Sequence, residues 1–190
     1  MWDVGANCGV FSTACAGLVG PTGSVLAIEP DSTTAVVLHH NAAASQASGR
    51  APIEVLECAV SDSLGTAVLS ISGLGRASNF LSAAGGRKGS SGVRSARRVV
   101  TVTLDWLGQQ FPMPSLLKID VEGAESMVIR GGARVLGEAR PVILCEVGKA
   151  TRGEICDYLL SSRYELFDAD DAAMAGDWRS CFNLLAVPAA

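Results

Sequence analysis

The stretch DVGANCGVF, residues 3–11, decides the fold of this 190-residue chain. Its first residues have the character of a buried strand that ends at Val4, and a helical pattern begins after Gly9. Gly5 and Gly9 let the main chain turn tightly and approach a ligand, while the N–H groups of the following helix face the turn. The stretch therefore predicts a ligand-binding turn between a strand and a helix.

The glycine spacing separates this turn from a dinucleotide-binding one. A dinucleotide site has the pattern G-x-G-x-x-G, whereas here Gly5 and Gly9 stand four residues apart with Asn7 between them. Asp3 supplies a carboxylate at the end of the strand, which suits a ligand with an ammonium and a sulfonium group better than one with two phosphates. These four residues are the first candidate ligand contacts.

Two later acids stand where nucleoside-binding proteins use them. Glu29 closes the second predicted strand, 20 residues after Gly9, where a carboxylate accepts both hydroxyls of a ribose. Asp62 follows the third strand and is placed to accept a hydrogen bond from an adenine amino group, with Val60 against the ring. Three acids at successive strand ends thus outline a nucleoside site at one edge of the sheet.

Short apolar runs alternate with segments of helical period, which is typical of an α/β fold with a mostly parallel sheet. The predicted strands are residues 24–29, 53–59, 116–121, 141–147, 164–168 and 182–188. Three helices are predicted. The first begins after Ser32 as its N-cap, the second spans 122–136 and stops at Gly137, and the third spans 152–162. Several strands are apolar throughout, so we expect helices on both faces and an open three-layer sandwich.

The alternation breaks at residues 63–104, here called the insert. Two β-like stretches flank a loop rich in glycine, serine and arginine at residues 73–98, which predicts an inserted hairpin with a flexible basic tip. The insert holds six of the 15 basic residues and no acidic residue. We expect it either to bind an anionic group or to be a solvated loop.

The composition fits one compact domain over residues 1–190. A hydrophobic content of 48% excludes intrinsic disorder, and no run approaches the roughly 20 apolar residues of a membrane span. No basic region precedes an apolar stretch at the start, so we expect a cytoplasmic protein. The six cysteines form no C-x-x-C pair, which argues against structural zinc, and the net charge of −4 argues against nucleic acid as a partner.

Six motifs, in order, carry a resemblance to a known family. They are DVGANCGVF, AIEP, CAVSD, TLDWL, LLKIDVEGAE and NLLAVP, which together span nearly the whole chain. DVGAN followed in register by KIDVEGAE is the specific combination. The chain resembles the FkbM family of S-adenosylmethionine-dependent methyltransferases, within the class I Rossmann-like fold.

The resemblance implies a cofactor, a reaction and a topology. The implied cofactor is S-adenosyl-L-methionine, and the implied reaction is O-methylation of a hydroxyl on a sugar, polyketide or other small metabolite. Numbered within the main sheet alone, the implied strand order is 3-2-1-4-5-7-6 with an antiparallel last strand. The residues implied to bind the cofactor are Asp3, Gly5, Asn7 and Gly9 at the methionine end, Glu29 at the ribose, and Val60 and Asp62 at the adenine.

Three acids stand where the strand at residues 116–121 passes into a helix. Because a neutral alcohol is a poor nucleophile, methyl transfer to it calls for a base or a metal ion. Asp120 is the first candidate for base or metal ligand and Glu122 the second, whereas Glu125 fits a helix dipole equally well. Glu146 faces the same edge as a further candidate for substrate or divalent-ion binding, and Asn79 and Phe80 in the insert are placed to border the substrate.

Three alternatives stay open, and one departure from the family pattern bears on them. An NAD(P)-dependent oxidoreductase would explain Glu29 but not the glycine spacing, and a nucleic-acid methyltransferase lacks its expected motif. Family members carry a segment before the first strand, whereas only residues 1–4 precede Gly5 here. We therefore expect an N-terminally shortened form, and the further alternative is a non-catalytic nucleoside-binding module. The pattern predicts neither metal dependence nor oligomeric state.

Overall fold

The computed structural model describes residues 1–20, 22–72, 79–82, 93–171 and 177–189. The strands of this part of the chain are β1 (Trp2–Val4), β2 (Val25–Ile28), β3 (Ile53–Leu56), β4 (Ala59–Val60), β5 (Gly65–Ser72), β6 (Phe80–Leu81), β7 (Val93–Val102), β8 (Leu116–Ile119), β9 (Val142–Glu146), β10 (Tyr164–Asp168) and β11 (Asn183–Pro188). The α-helices are α1 (Val10–Ala16), α2 (Ser32–Ala47), α3 (Leu104–Gln110), α4 (Glu125–Arg130) and α5 (Arg152–Ser161), and a π-helical turn spans Val135–Ala139.

The main sheet has seven strands in the order β10-β11-β9-β8-β1-β2-β3. The neighbouring strands from β9 to β3 are parallel, whereas β11 pairs antiparallel with both β9 and β10. Counted within this sheet, the order is the 3-2-1-4-5-7-6 that the resemblance implied. The predicted topology is therefore confirmed, including the antiparallel last strand.

Helices cover both faces of this sheet. Leu26 and Ile28 of β2 belong to a large apolar cluster that includes residues of α3, α4 and α5. Val25 and Ala27 point the other way, into smaller clusters with α1 and α2. Because side chains alternate across a strand, each strand contributes to both layers of core. The predicted three-layer sandwich is confirmed.

The insert forms most of a second sheet, in the order β4-β7-β5-β6. Strands β5 and β7 pair antiparallel over almost their whole length, as the predicted hairpin requires. Leu69 of β5 and Leu81 of β6 pack with Ala124 beside α4, which holds this sheet against the main body. The predicted flexible basic tip falls largely on residues 73–78 and 83–92, which lie outside the described residues.

Two local predictions are wrong. The run 53–59 was expected to be one strand, but β3 ends at Leu56, and β4 pairs with β7 in the second sheet instead. Ser32 was expected to cap α2, but the cap is Asp31, whose carboxylate accepts a hydrogen bond from the Thr33 N–H at 2.9 Å. Both residue types cap helices well, so the sequence pattern does not separate neighbours.

The helix predicted over 122–136 is interrupted. It begins only at Glu125, ends at Arg130, and resumes as a π-helical turn that contains Gly137, the expected stop. A Cβ on Gly131 would lie 2.2 Å from the Ser61 carbonyl oxygen, so the chain bends here against the strand ends. The Asp105 carboxylate then accepts hydrogen bonds from the N–H groups of residues 134 and 135, which start the second part.

Among the described helices, none has both the length and the apolar character needed to cross a bilayer.

Leu117 lies in β8 and has none of its surface exposed, whereas Leu18 is 83% exposed. We expect Leu117→Ala to lower the free energy of unfolding by about 2 to 5 kcal/mol, because it leaves a cavity at the centre of the sheet. The matched Leu18→Ala should change it by less than about 0.5 kcal/mol. Urea denaturation of the two variants measures both values, and equal effects would contradict this account of the core.

Candidate functional site

One pocket lies at the carboxyl ends of β1, β2 and β8. It encloses about 600 Å³, including the part open to solvent. The lining residues come from the main sheet and the insert: Val4, Gly5, Asn7, Ile28, Glu29, Pro30, Cys58, Ala59, Val60, Leu69, Asn79, Phe80, Leu81, Asp120, Val121 and Glu122. In open α/β sheets, the crevice outside the carboxyl ends of the strands is where ligands bind.

The turn between β1 and α1, residues 5–9, is called the glycine turn. Gly5 has φ +80°, and a Cβ there would lie 1.8 Å from the Asp120 carbonyl oxygen, so only glycine fits. Asn7 has φ +51°, a left-handed conformation that asparagine tolerates well. Its Oδ1 accepts a hydrogen bond from the Cys8 N–H at 2.7 Å. The turn therefore brings main chain, without bulky side chains, to the pocket.

Glu29 lines the pocket and is only 8% exposed. Its Oε2 accepts a hydrogen bond from the Asn7 N–H at 3.0 Å, and its Oε1 accepts one from the Asp31 N–H at 2.8 Å. Burial raises the pKa of Glu29, and these two N–H groups offset part of that rise. A carboxylate accepts up to about four hydrogen bonds, so Glu29 retains capacity for two hydroxyl groups of a ligand.

Lys118 joins the glycine turn to the end of β8. Its Nζ donates to the Gly5 carbonyl oxygen at 3.1 Å and lies 3.3 Å from carboxylate oxygens of both Asp3 and Asp120. Burial lowers the pKa of Lys118, but the charges and hydrogen bonds of Asp3 and Asp120 raise it by more, so the net pKa lies above its ordinary value. The ammonium group is therefore charged in the folded chain.

Asp120, Glu122 and Glu146 form the acid edge of the site. Their nearest carboxylate oxygens lie within 4.8 Å of one another, and all three side chains are partly exposed. Such an oxygen-rich set suits magnesium or calcium. Glu122 has φ +54°, an uncommon conformation for a residue other than glycine or asparagine. The neighbouring Glu125 is buried, and its Oε1 accepts from the Gly123 N–H at 2.9 Å.

Six of the nine predicted site residues line the pocket: Gly5, Asn7, Glu29, Val60, Asp120 and Glu122. Asn79 and Phe80 line it as well, as their position in the insert suggested. Glu146 is brought beside Asp120 and Glu122 but does not line the pocket wall.

Three predicted residues lie elsewhere. Asp3 is fully buried beneath the pocket, where Ser12 Oγ donates to its Oδ2 at 2.6 Å. Gly9 caps α1 and packs towards Leu38 instead of the ligand space. Asp62 turns towards Arg130, with its Oδ2 3.4 Å from the guanidinium. These three residues are not among those that line the pocket, and their ligand contacts stay predictions.

Four residues at the site, Asp31, Lys118, Leu69 and Leu81, were not predicted as site residues from the sequence. Asp31 and Lys118 contact several pocket residues each, but their partners are distant in sequence. Leu69 and Leu81 line the pocket from the second sheet, which no motif indicated. The only signal for Asp31 was its place two residues after Glu29, at the start of a helix.

A model of the FkbM methyltransferase domain matches residues 3–180. The chain belongs to the FkbM methyltransferase family. The match begins at the first residue of the motif DVGANCGVF and takes in every element that lines the pocket. No curated protein matches the chain in sequence.

Two solved structures resemble this FkbM methyltransferase domain in fold. The first is the methyltransferase FkbM from Methylobacillus flagellatus KT, with a TM-score of 0.63 and 20% identity over 98% of this chain. The second is a precorrin-6y C5,15-methyltransferase from Geobacter metallireducens GS-15, with a TM-score of 0.53 and 14% identity, covering 98% of this chain and 76% of that one. This chain spans 42% of the length of the Methylobacillus protein.

Glu125 makes the free energy of unfolding depend on pH. Burial raises its pKa above the ordinary 4.5, and the N–H groups that it accepts from offset only part of the rise. A carboxyl whose pKa is higher in the folded chain costs stability once it ionises, so the free energy of unfolding falls as pH rises through that pKa. Glu125→Gln removes this titration.

We expect the stability of Glu125→Gln relative to the wild type to increase as the pH is raised from about 4 to about 8. Urea denaturation across this range measures the difference. The matched variant Glu165→Gln, at an exposed position on β10, should show no such increase. A difference that stays constant with pH would contradict the assignment.

Proposed function

We propose that this FkbM domain binds S-adenosyl-L-methionine and methylates a hydroxyl group of a small molecule. The observation that carries the proposal is that a single pocket is lined by the buried Glu29 carboxylate, by Gly5 and Asn7 of the glycine turn, and by Asp120. An acceptor hydroxyl placed at Asp120 would then lie beside the reacting end of the cofactor.

The residues of the pocket fit the three parts of this cofactor. Glu29 would accept hydrogen bonds from the two ribose hydroxyls. The apolar side chains of Val60, Leu69 and Phe80 would pack against the adenine ring. The glycine turn leaves room for the methionine part, because Gly5 carries no side chain and the main chain borders the pocket directly.

When bound, the cofactor supplies a methyl group on a positively charged sulfur. The acceptor oxygen would take this methyl group in line, and the sulfur would keep the electron pair of the carbon–sulfur bond that breaks. Asp120 is placed to take the proton from the hydroxyl, and Lys118 holds the Asp120 carboxylate 3.3 Å from its ammonium group. Positioning of this kind supplies up to roughly 7 to 11 kcal/mol of the barrier reduction in favourable cases.

The acid edge supports a second role for the same carboxylates. Asp120, Glu122 and Glu146 would hold a divalent cation, and such a cation would lower the pKa of a bound hydroxyl. All six cysteines are free, which suits a reducing compartment, and we therefore keep the cytoplasm as the proposed location.

The cofactor proposal is tested by calorimetric titration with S-adenosylhomocysteine. Removal of hydrogen bonds to a charged group costs about 1.5 to 3 kcal/mol each. Glu29 would accept two such bonds, so we expect Glu29→Ala to weaken binding at least about 100-fold. Glu54→Ala, an exposed acid on β3, should bind like the wild type. Binding of NAD in place of S-adenosylhomocysteine would make the oxidoreductase alternative the better one.

Asp120 is tested by turnover. With an acceptor found by screening hydroxyl compounds, we expect Asp120→Asn to lower kcat by about 100-fold or more, because proton removal is lost. Its affinity for S-adenosylhomocysteine should change by less than about three-fold. Asp157→Asn, on the exposed side of α5, serves as the control for kcat. Transfer of radiolabelled methyl groups measures the rate.

The same assay distinguishes metal binding by the acid edge from proton removal by Asp120. It also distinguishes both roles from a non-catalytic binding module. Loss of turnover on treatment with EDTA, restored by magnesium and abolished in Glu146→Gln, would assign the acid edge to metal binding. Turnover unaffected by EDTA would assign Asp120 as the base. Firm binding of S-adenosylhomocysteine with no turnover on any hydroxyl acceptor would favour a binding module.

A further inference from the structure

Asp31 lies at the junction of the cofactor pocket, α2 and the insert, and it is fully buried. Its main-chain N–H donates to Glu29 Oε1 at 2.8 Å. Its carboxylate accepts from the Thr33 N–H and, at 2.7 Å, from Asn79 Nδ2. The guanidinium of Arg97 also contacts this carboxylate. One buried acid therefore contacts Glu29, the candidate residue for ribose binding, and two residues of the insert, Asn79 and Arg97.

Asn79 and Arg97 each form a further hydrogen bond besides their contact with Asp31. Asn79 Oδ1 accepts a hydrogen bond from the Ser72 N–H at 3.0 Å, so the amide joins β5 to Asp31. Arg97 Nη1 donates to Ser32 Oγ at 2.8 Å, in addition to the ion pair with Asp31. Asn79 precedes Phe80 of β6, and both of these residues line the pocket.

The buried charge of Asp31 explains why its contacts with Arg97 and Asn79 matter. A buried carboxylate is costly unless it is paired and hydrogen-bonded, and Asp31 is satisfied by groups from α2 and the insert together. Displacement of the insert would leave this carboxylate without Arg97 and Asn79. The next residue along β7, Arg98, lies on the opposite face, where its Nη1 donates to Thr66 Oγ1 at 3.1 Å. Only one of these neighbouring arginines reaches the pocket side.

We propose that Asn79 and Arg97 are positioning residues that hold Phe80 and Leu81 against the cofactor pocket through Asp31. The inference rests on the proposed function, because it assigns β6, whose Phe80 would pack against the adenine ring, as a wall of that same pocket. The inference adds a coupling between Glu29, which would bind the ribose, and the pocket wall formed by β6. A nucleoside held by Glu29 steadies Asp31, and Asp31 in turn fixes Phe80 and Leu81 against the ligand.

Calorimetry with S-adenosylhomocysteine tests the coupling in a matched pair of variants. We expect Arg97→Met to weaken binding about ten-fold, because the Asp31 carboxylate loses its ion pair with the pocket wall. Arg98→Met should bind within about two-fold of the wild type. Equal affinities of the two variants and the wild type would overturn the proposal.

A second test exchanges the side chains of Asp31 and Asn79. Recovery of binding in the exchanged variant cannot result from loss of folding. Asn79→Asp places a second carboxylate against Asp31 and should weaken binding by more than Arg97→Met does. The double variant Asp31→Asn and Asn79→Asp restores a donor facing an acceptor, and asparagine is an equally good helix cap. Because Asp31→Asn also removes the ion pair with Arg97, we expect the double variant to bind more tightly than Asn79→Asp alone and about as tightly as Arg97→Met. A double variant as weak as Asn79→Asp alone would contradict the contact.

Hydrogen exchange measured without any ligand separates failure of this inference from failure of the proposed function. We expect exchange at residues 79–82 to be about ten-fold faster in Arg97→Met than in Arg98→Met, because the contact of Arg97 with Asp31 is lost. Faster exchange together with no binding of S-adenosylhomocysteine by the wild type would overturn the proposed function and retain this contact. Unchanged exchange in Arg97→Met would overturn the contact itself.

Discussion

The ammonium group of Lys118 lies between the glycine turn and the acid edge, and the geometry of the pocket depends on it. It donates to the Gly5 carbonyl oxygen and lies 3.3 Å from both Asp3 and Asp120. Asp3 and Lys118 are paired across neighbouring strands β1 and β8, which places the ion pair directly below the turn. Without this cation, two buried or partly buried carboxylates would face each other at the centre of the sheet.

Close packing reinforces the same arrangement. The main chain of Gly5 lies so near the Asp120 carbonyl that no side chain fits between them. The glycine turn and the end of β8 therefore form one floor of the pocket, which Glu29 and Asp120 both line. The insert supplies the remaining wall, and its position is set by Asp31. Floor and wall are thus fixed by two separate buried ion pairs.

The sequence indicated those parts of the structure that local pattern determines. Apolar runs located every strand of the main sheet, and the spacing of Gly5 and Gly9 located the glycine turn that borders the pocket. Glu29 could be assigned because its distance from the turn is set by one strand and one helix. Gly5, Glu29 and Asp120 do line the pocket together.

The remaining parts depend on contacts between residues far apart in the chain. Asp62 was expected at the pocket, but it faces Arg130, 68 residues later. Asp3 was expected to touch the ligand, but alternation along β1 turns it towards Lys118 and the helix α1. The interruption at Gly131 likewise arises from its approach to Ser61. No periodicity within a short window contains such information.

The central claim is that one pocket holds a nucleoside through Glu29 and presents its reactive end to Asp120. A crystal structure of this chain soaked with S-adenosylhomocysteine tests it most directly. The account predicts both ribose hydroxyls within hydrogen-bonding distance of the Glu29 carboxylate, with the thioether sulfur directed towards Asp120. Ligand density at another surface, or with the ribose away from Glu29, would contradict it.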